Sequence, residues 1–297
     1  MKSVATHYQR RWFTAHPLKL GHLRTPIKIL LHAIFCSRSF LHIVALRWHE
    51  VLCGAHADPG SDHPCGTKGA RCAGFGPDRF QWYLDLGIPE DRLRLRHHET
   101  SELSHYSSAT ADVEFLFPWG WDELEGVANR GEFDLQAHAA ASGEKLEYYD
   151  QSTNERYVPH VIEPAAGATR TMMAFLLAAY HEDEVGGEAR TVLRLHPRLA
   201  PYQVGVLPLS KKDTLEPLAR EVLTSLQPHF LCDYDTTQSI GKRYRRQDEV
   251  GTPWCVTVDF DSLEDRAVTV RDRDTTEQVR VPIDSLVAEL RRRLDAS

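Results

Sequence analysis

Between Tyr157 and Tyr180 the chain runs Tyr-Val-Pro-His-Val-Ile-Glu-Pro-Ala-Ala-Gly-Ala-Thr-Arg and straight on into Thr-Met-Met-Ala-Phe-Leu-Leu-Ala-Ala-Tyr. No other stretch constrains the fold as tightly. Val158, Val161 and Ile162 make a short β-favouring run, whereas Met172, Met173, Phe175, Leu176, Leu177 and Tyr180 make a nearly all-apolar helical run. The expectation is a buried strand feeding a buried helix. Between them Glu163-Pro164 ends the strand and Gly167 lets backbone approach a ligand closely. Arg170 falls in the first helical turn, where unpaired N–H groups favour anions. A carboxylate, a glycine and an arginine thus meet at one corner, an arrangement suited to an ammonium beside a triphosphate. The alternative is a plain strand-to-helix corner with a surface Arg and Glu.

The flanking sequence falls into unlike parts. The 297 residues suit two domains, and 42% hydrophobic with 26% charged is ordinary for a soluble globular protein. Yet residues 1–79 carry 11 Lys and Arg against 4 Asp and Glu, while residues 80–297 carry 24 against 38. The net charge of −7 argues against indiscriminate nucleic-acid binding without excluding a basic face. Met1 to His49 holds no acid, and Lys28, His32, Arg38 and His42 interrupt the apolar run Ile27–Leu46, so a clean membrane span is excluded. Ile27, Leu30, Leu31, Ile34, Phe35 and Leu41 keep the spacing of a basic amphipathic helix, and an acid-poor start also suits an organelle-targeting segment. Cys53, Cys65, Cys72, His56 and His63 form no Cys-x-x-Cys pair and fit no common zinc module. Residues 1–79 are therefore expected to be an unassigned, disordered or non-native segment, as a shifted reading frame or misplaced start would produce. Cys232 and Cys255 read as buried strand residues of a reducing compartment.

Regular patterning begins at Phe80 to Gly87, a short helix closed by glycine. Strands are expected at 93–96, 111–117, 123–128, 145–149 and 156–162, with a helix over 133–141 and a hairpin loop at 150–154. An antiparallel sheet backed by helices follows. In Asp122-Glu-Leu-Glu-Gly-Val-Ala-Asn-Arg130, strict alternation places Glu123 and Glu125 on one face and Leu124 on the other. Two carboxylates on one surface call for cations, supplied by an ammonium substrate or by a magnesium ion carried on a nucleotide. An edge strand with a solvated acidic face is equally compatible.

After an acidic linker at 181–188, strands are expected at 191–195, 202–209, 230–234, 254–260, 267–271 and 277–282. Helices are expected at 214–226, 240–249 and 284–294, giving an α/β domain around a mixed sheet. Within it Ser239-Ile-Gly-Lys-Arg-Tyr-Arg-Arg-Gln-Asp-Glu-Val-Gly-Thr-Pro253 supplies Lys242, Arg243, Arg245 and Arg246 for phosphates and Tyr244 for stacking. Arg271 and Arg273, in Val-Thr-Val-Arg-Asp-Arg-Asp-Thr at 268–275, alternate with Asp272 and Asp274 in a way that suits base edges. A solvated basic helix is the plainer alternative.

Glu-Leu-Glu-Gly-Val-Ala-Asn-Arg at 123–130, Phe-Asp-Leu at 133–135 and the stretch 157–170 resemble the catalytic domain of glycyl-tRNA synthetase. The last of these is similar to the third signature motif of class II synthetases, and the strings at 239–253 and 268–275 resemble the family's anticodon-binding domain. The resemblance spans residues 80–297. It implies an α+β, class II synthetase-like catalytic portion over 80–189, with an antiparallel sheet and helices, followed by an α/β anticodon-binding domain with a mixed sheet over 190–297. By resemblance Glu123, Leu124 and Gly167, Ala168, Thr169 and Arg170 contact ATP, with Arg170 on its phosphates as the catalytic cation. Glu125, Glu163, Pro164, Ala165, Ala166 and Gly167 line the glycine pocket, and Lys242, Arg243, Arg245, Arg246, Arg271 and Arg273 contact tRNA. The implied cofactors are ATP and the Mg2+ that travels with it, with no metal held by the protein alone. The implied partners are glycine and tRNA for glycine, in a homodimeric, cytoplasmic, non-membrane family. Ala165 departs from the family's usual Ser and removes a hydroxyl from the pocket. The dimer-forming first motif is not found, nor are the Arg-Asn-Glu and Phe-Arg-x-x-Glu-Phe strings that hold ATP and activate the carboxylate. The expected function is glycine–tRNA ligase through glycyl-adenylate, in a truncated copy; the alternative is a catalytically inactive tRNA-binding remnant.

Overall fold

The computed structural model describes residues 75–151, 153–210 and 214–297. The readings made on the acid-free start, on Ile27–Leu46 and on Cys53, His56, His63, Cys65 and Cys72 lie outside these. The first element is helix α1 (Phe75–Asp85), which begins five residues ahead of the expected Phe80. It ends at Gly87, whose φ of +92° takes the left-handed geometry that closes helices.

A four-stranded antiparallel sheet follows, in the order β1 (Leu93–His97), β2 (Ala109–Phe117), β3 (Gly120–Gly131), β6 (Val161–Ala166). Alternation along β2 sends Val113, Phe115 and Phe117 to the covered face, where α1 and α3 (Ala168–Ala179) pack. Phe175 of α3 meets Tyr83 and Trp82 at ring-centroid distances of 6.0 and 6.2 Å, within the range of favourable aromatic contacts. The strand-to-helix corner expected at 157–180 is present as β6 feeding α3, but β6 is an edge strand with no buried residue. It runs through Glu163-Pro164 to Ala166 instead of ending there, because at an edge the missing N–H of Pro164 breaks no inner ladder.

Two expected elements are divided differently. The strand expected at 156–162 is split: β5 (Glu155–Tyr157) pairs with β4 (Tyr148–Asp150), and β6 starts afresh beyond Pro159 to pair with β3. Pro159 has no N–H with which to continue the ladder. The acidic linker at 181–188 is instead a hairpin, β7 (Tyr180–Val185) with β8 (Glu188–Leu193). Gly186 and Gly187 make its two-residue turn with φ of +64° and +81°, the geometry that matches the twist of paired strands. Helix α2 (Phe133–Ser142) falls where expected.

The C-terminal sheet is mixed, in the order β10 (Cys232–Tyr234), β9 (Val204–Pro208), β11 (Trp254–Val258), β12 (Ala267–Asp272), β13 (Gln278–Pro282). The three strands β10, β9 and β11 run parallel, and the last two add antiparallel. Helices α4 (Glu216–Leu226) and α6 (Ile283–Asp295) bury Leu218, Val222, Leu226, Leu286 and Leu290 against Val204, Val206, Val256, Val268 and Val270. Helix α5 (Ile240–Val250) packs against β8 and β9. At the latter Gln247 rests on Gly205, where a Cβ would come within 3.2 Å of its amide. Cys255 is buried and Cys232 half-buried in their strands, and burial pushes both thiols up to about 12. No described helix is long and apolar enough to cross a membrane.

Candidate functional site

The face of the four-stranded sheet away from α1 and α3 is lined with charge. On β1 and β2, Arg94 pairs with Glu114, Arg96 reaches both Glu102 (2.7 Å) and Glu114 (3.8 Å), and His98 Nε2 lies 2.6 Å from Asp112 Oδ2. On β3 and β6, Arg130 Nη1 donates to Glu163 Oε2 at 2.7 Å and Nη2 to Asp134 Oδ1 at 2.9 Å. Glu123 stands among these groups, and no described residue hydrogen-bonds or ion-pairs with its carboxylate. Burial, and next the negative charge of Asp112, push the Glu123 carboxyl above its ordinary range, while Arg170 and His98 oppose the shift. A carboxylate held without a partner near like charge favours a cation.

The expected pairing of Glu123 with Glu125 on one face is corrected by the register. Glu123 lies opposite Glu114 and Glu125 opposite Val113, so Leu124 is an extra residue, a β-bulge. Downstream of it the alternation is shifted by one, and Glu125 turns to the covered face, 1% exposed. There Arg79 donates to both its oxygens at 2.6 and 3.0 Å, and the Tyr83 hydroxyl donates at 2.7 Å. Glu125 is thereby a buried, fully partnered clamp between α1 and β3, out of reach of an amino-acid pocket on the open face. Leu124 is buried as well.

The shifted alternation brings Gly126 and Ala128 to the open face, opposite Ala165 and Glu163 of β6. Glu123, Glu163 and Ala165 are thus gathered on one surface. Ala165, Ala166, Gly167, Ala168 and Thr169 are exposed and Pro164 half-buried along the same edge. Arg170 stands at the end of the sheet, in contact with Asp122 and 5.1 Å from the centre of the Phe117 ring. Its Nη2 makes the ion pair with Asp122, and Nε and Nη2 are both buried. The guanidinium is held in place next to the start of α3, and its charge reaches Glu123.

The six cations expected at tRNA divide evenly. Lys242 is exposed; Arg245 and Arg246 are half-buried, Arg245 near Glu188 (3.5 Å) and Arg246 donating to Asp235 Oδ2 (3.0 Å). The other three are buried, which corrects the reading of base-edge and phosphate contacts for them. Arg243 donates to the carbonyls of Pro208 (2.6 Å), Asp235 (3.1 Å) and Leu209 (3.2 Å). Arg271 grips Asp248 with two bonds of 2.8 and 3.0 Å and covers the ring of Tyr244, 4.8 Å away. Tyr244 is therefore no open stacking ring, and its hydroxyl is tied to Thr257 (2.6 Å). Arg273 donates to the carbonyls of Leu195 (2.9 Å) and Gly251 (2.8 Å) and to Asp274.

Sequence reasoning missed Arg190, which is 2% exposed. From β8 it donates to Asp183 (2.7 Å), to the carbonyl of Arg273 (2.7 Å) and to Asp248 (3.3 Å). Asp248 thus serves two buried arginines and joins the β7–β8 hairpin to α5 and β12. Among the described residues no group of three His, Cys, Asp or Glu side chains stands together as a metal site.

Residues 203–293 match the family model described as "Anticodon binding domain". Over 224 residues the chain is 58% identical to a glycine–tRNA ligase of Corynebacterium glutamicum, covering 73% of this chain and 49% of that protein. It is 59% identical over 211 residues to the enzyme of that name from Macrococcus caseolyticus (71% and 45%). For one from Bacillus cereus the identity is 57% over 213 residues (72% and 46%). The chain spans about half the length of the relatives it matches.

Proposed function

From the premise that some seven tenths of this chain is a segment of the glycyl-tRNA synthetase family, we propose that it serves the ATP-dependent attachment of glycine to tRNA. In this reading residues 80–189 are the C-terminal part of a class II catalytic domain, residues 190–297 the anticodon-binding domain, and residues 1–79 stand outside both. One observation carries it: a solvent-facing strip on which the unpartnered Glu123, the small residues Gly126 and Ala165, and Glu163 lie together, with the Arg170 guanidinium, ion-paired to Asp122, at its end.

Each group has a physical task. Glycine offers only an ammonium and a carboxylate for recognition, so Glu163, released from Arg130, pairs with the ammonium, and the exposed run Ala165 to Gly167 keeps the pocket shallow. Arg170 binds the phosphates of ATP, and Glu123 faces the Mg2+ that accompanies them. As a glycine carboxylate oxygen bonds to the α-phosphorus and the bond to the departing pyrophosphate breaks, negative charge gathers on the phosphate oxygens, and a fixed guanidinium stabilises that charge without reorganisation. On tRNA, Lys242, Arg245 and Arg246 neutralise phosphates. Arg243, Arg271 and Arg273 shape the domain from inside.

A second reading, tRNA binding without catalysis, is favoured by the absence of the strings Arg-Asn-Glu and Phe-Arg-x-x-Glu-Phe from this sequence. Glycine-dependent exchange of pyrophosphate into ATP separates the two. Under the ligase reading exchange is measurable, and Arg170→Ala lowers it about 10²–10³-fold, as loss of one preorganised donor does elsewhere. No exchange, with tRNA binding retained, leaves the second reading.

A further inference from the structure

Gly126 lies inside β3, where a glycine weakens the strand and contributes no packing. Its φ is not positive, so the backbone does not require it. The requirement is spatial. A Cβ at this position would stand 3.2 Å from Glu123 Oε1 and 3.5 Å from Asp112 Oδ1, and it would project from the open face. The nearest residue across the ladder on β6 is Ala165, itself small and exposed. Gly126 and Ala165 therefore form a floor almost without side chains, bordered by Glu123 along one strand and by Glu163 along the other.

That position has a consequence for the reaction proposed above, on which this inference rests. The nucleotide is assigned to the Glu123 side and the amino acid to the Glu163 side, and the two must come into bonding distance. We infer that Gly126 is a specificity-determining residue: its missing side chain leaves the methyl-sized space in which the amino acid lies against the floor and meets the nucleotide. A methyl group there fills the space and displaces the Glu123 carboxylate by a few tenths of an ångström. Asp112 Oδ1, at 3.5 Å, is already at van der Waals distance and stays in place, its other oxygen held by His98.

The test is calorimetric titration of the full chain with glycine, with L-alanine and with a non-hydrolysable ATP analogue. The wild type is expected to bind glycine at least tenfold more tightly than alanine. Gly126→Ala weakens glycine at least tenfold while holding the ATP analogue within about twofold and leaving the thermal midpoint of the C-terminal domain in place. Equal glycine affinity in wild type and Gly126→Ala overturns the inference alone, as does equal loss of glycine and nucleotide. A wild type that binds neither ligand overturns the proposed function, and this inference falls with it. Should Gly126→Ala fail to fold, Ala165→Gly deepens the same floor and is expected to narrow the gap between glycine and alanine; an unchanged gap overturns the inference.

Discussion

The sheet of residues 93–166 and the sheet of residues 204–282 are both rich in arginine, yet they hold it in opposite ways. On the first, Arg94, Arg96, Arg130 and Arg170 pair with carboxylates at a face open to water or its margin. In the second, Arg243, Arg271 and Arg273, together with Arg190 from the hairpin, are themselves buried and bond to backbone carbonyls and to Asp248, Asp183 and Asp274. An open pair exchanges partners at little cost, as a surface that receives a charged ligand must. A covered pair fixes geometry, because unpairing it leaves a charge without water. Arginine content therefore says little about ligand contact until burial is known.

Removing one member of each kind of pair tests the contrast most strongly. Asp248→Ala leaves the buried Arg271 without its carboxylate and takes one bond from Arg190, and denaturant unfolding is expected to show a loss of about 3–5 kcal/mol, typical of a broken buried pair. Glu163→Gln on the open face is expected to leave the midpoint almost unmoved while weakening glycine. Similar losses for the two substitutions would erase the distinction.

A smaller effect is expected with pH. Hydrogen bonds from Arg190 above all, and then from Arg194, draw the Asp183 carboxyl down from 3.8 to about 2. A carboxyl whose folded value is depressed contributes stability above its unfolded value and loses it on acidification. Its contribution is thus complete above about pH 4 and vanishes as pH falls towards 2. Asp183→Asn should reduce the slope of the stability curve in that window, leaving the part due to the other depressed carboxyls, among them Asp235, Asp259 and Glu289, the last drawn down to about 2 by Arg292 and Arg293. An unchanged slope would mean that the hairpin's charge is not coupled to folding.

The finest distinction lies within the tRNA-facing cations. Lys242→Ala should reduce the slope of log K against log salt for tRNA binding by about 0.7–0.9, without changing the preference among anticodons. An altered anticodon preference would give Lys242 a discriminating role instead of a phosphate-neutralising one.

What the sequence disclosed followed its apolar pattern. The corner from β6 into α3 was legible because Val161, Ile162, Met172 and Phe175 mark it, and the C-terminal strands because their valines do. Helix α5 was legible in its span but not in its buried face, because that stripe is Arg243, Gln247 and Asp248: helical spacing carried by polar residues, which in sequence look like a solvated face. The acid-rich flanks hid the hairpin, although Gly186-Gly187 was its available signal. Glu125 was misplaced because alternation presumes an unbroken ladder, and nothing in Glu-Leu-Glu-Gly announces a bulge.

That bulge gives β3 two phases. Ahead of Leu124 the odd-numbered Trp121 and Glu123 face solvent; after it the even-numbered Gly126 and Ala128 do. One inserted residue thereby works as a parity switch, letting neighbouring carboxylates in a single strand belong to different environments, Glu123 to the ligand and Glu125 to the core. Tolerance of polar replacement along β3 belongs to odd positions on one side of Leu124 and to even positions on the other. Excising that one residue would leave an unbroken ladder, in which Glu125 keeps its covered place opposite Val113 and Gly126 its open one opposite Asp112.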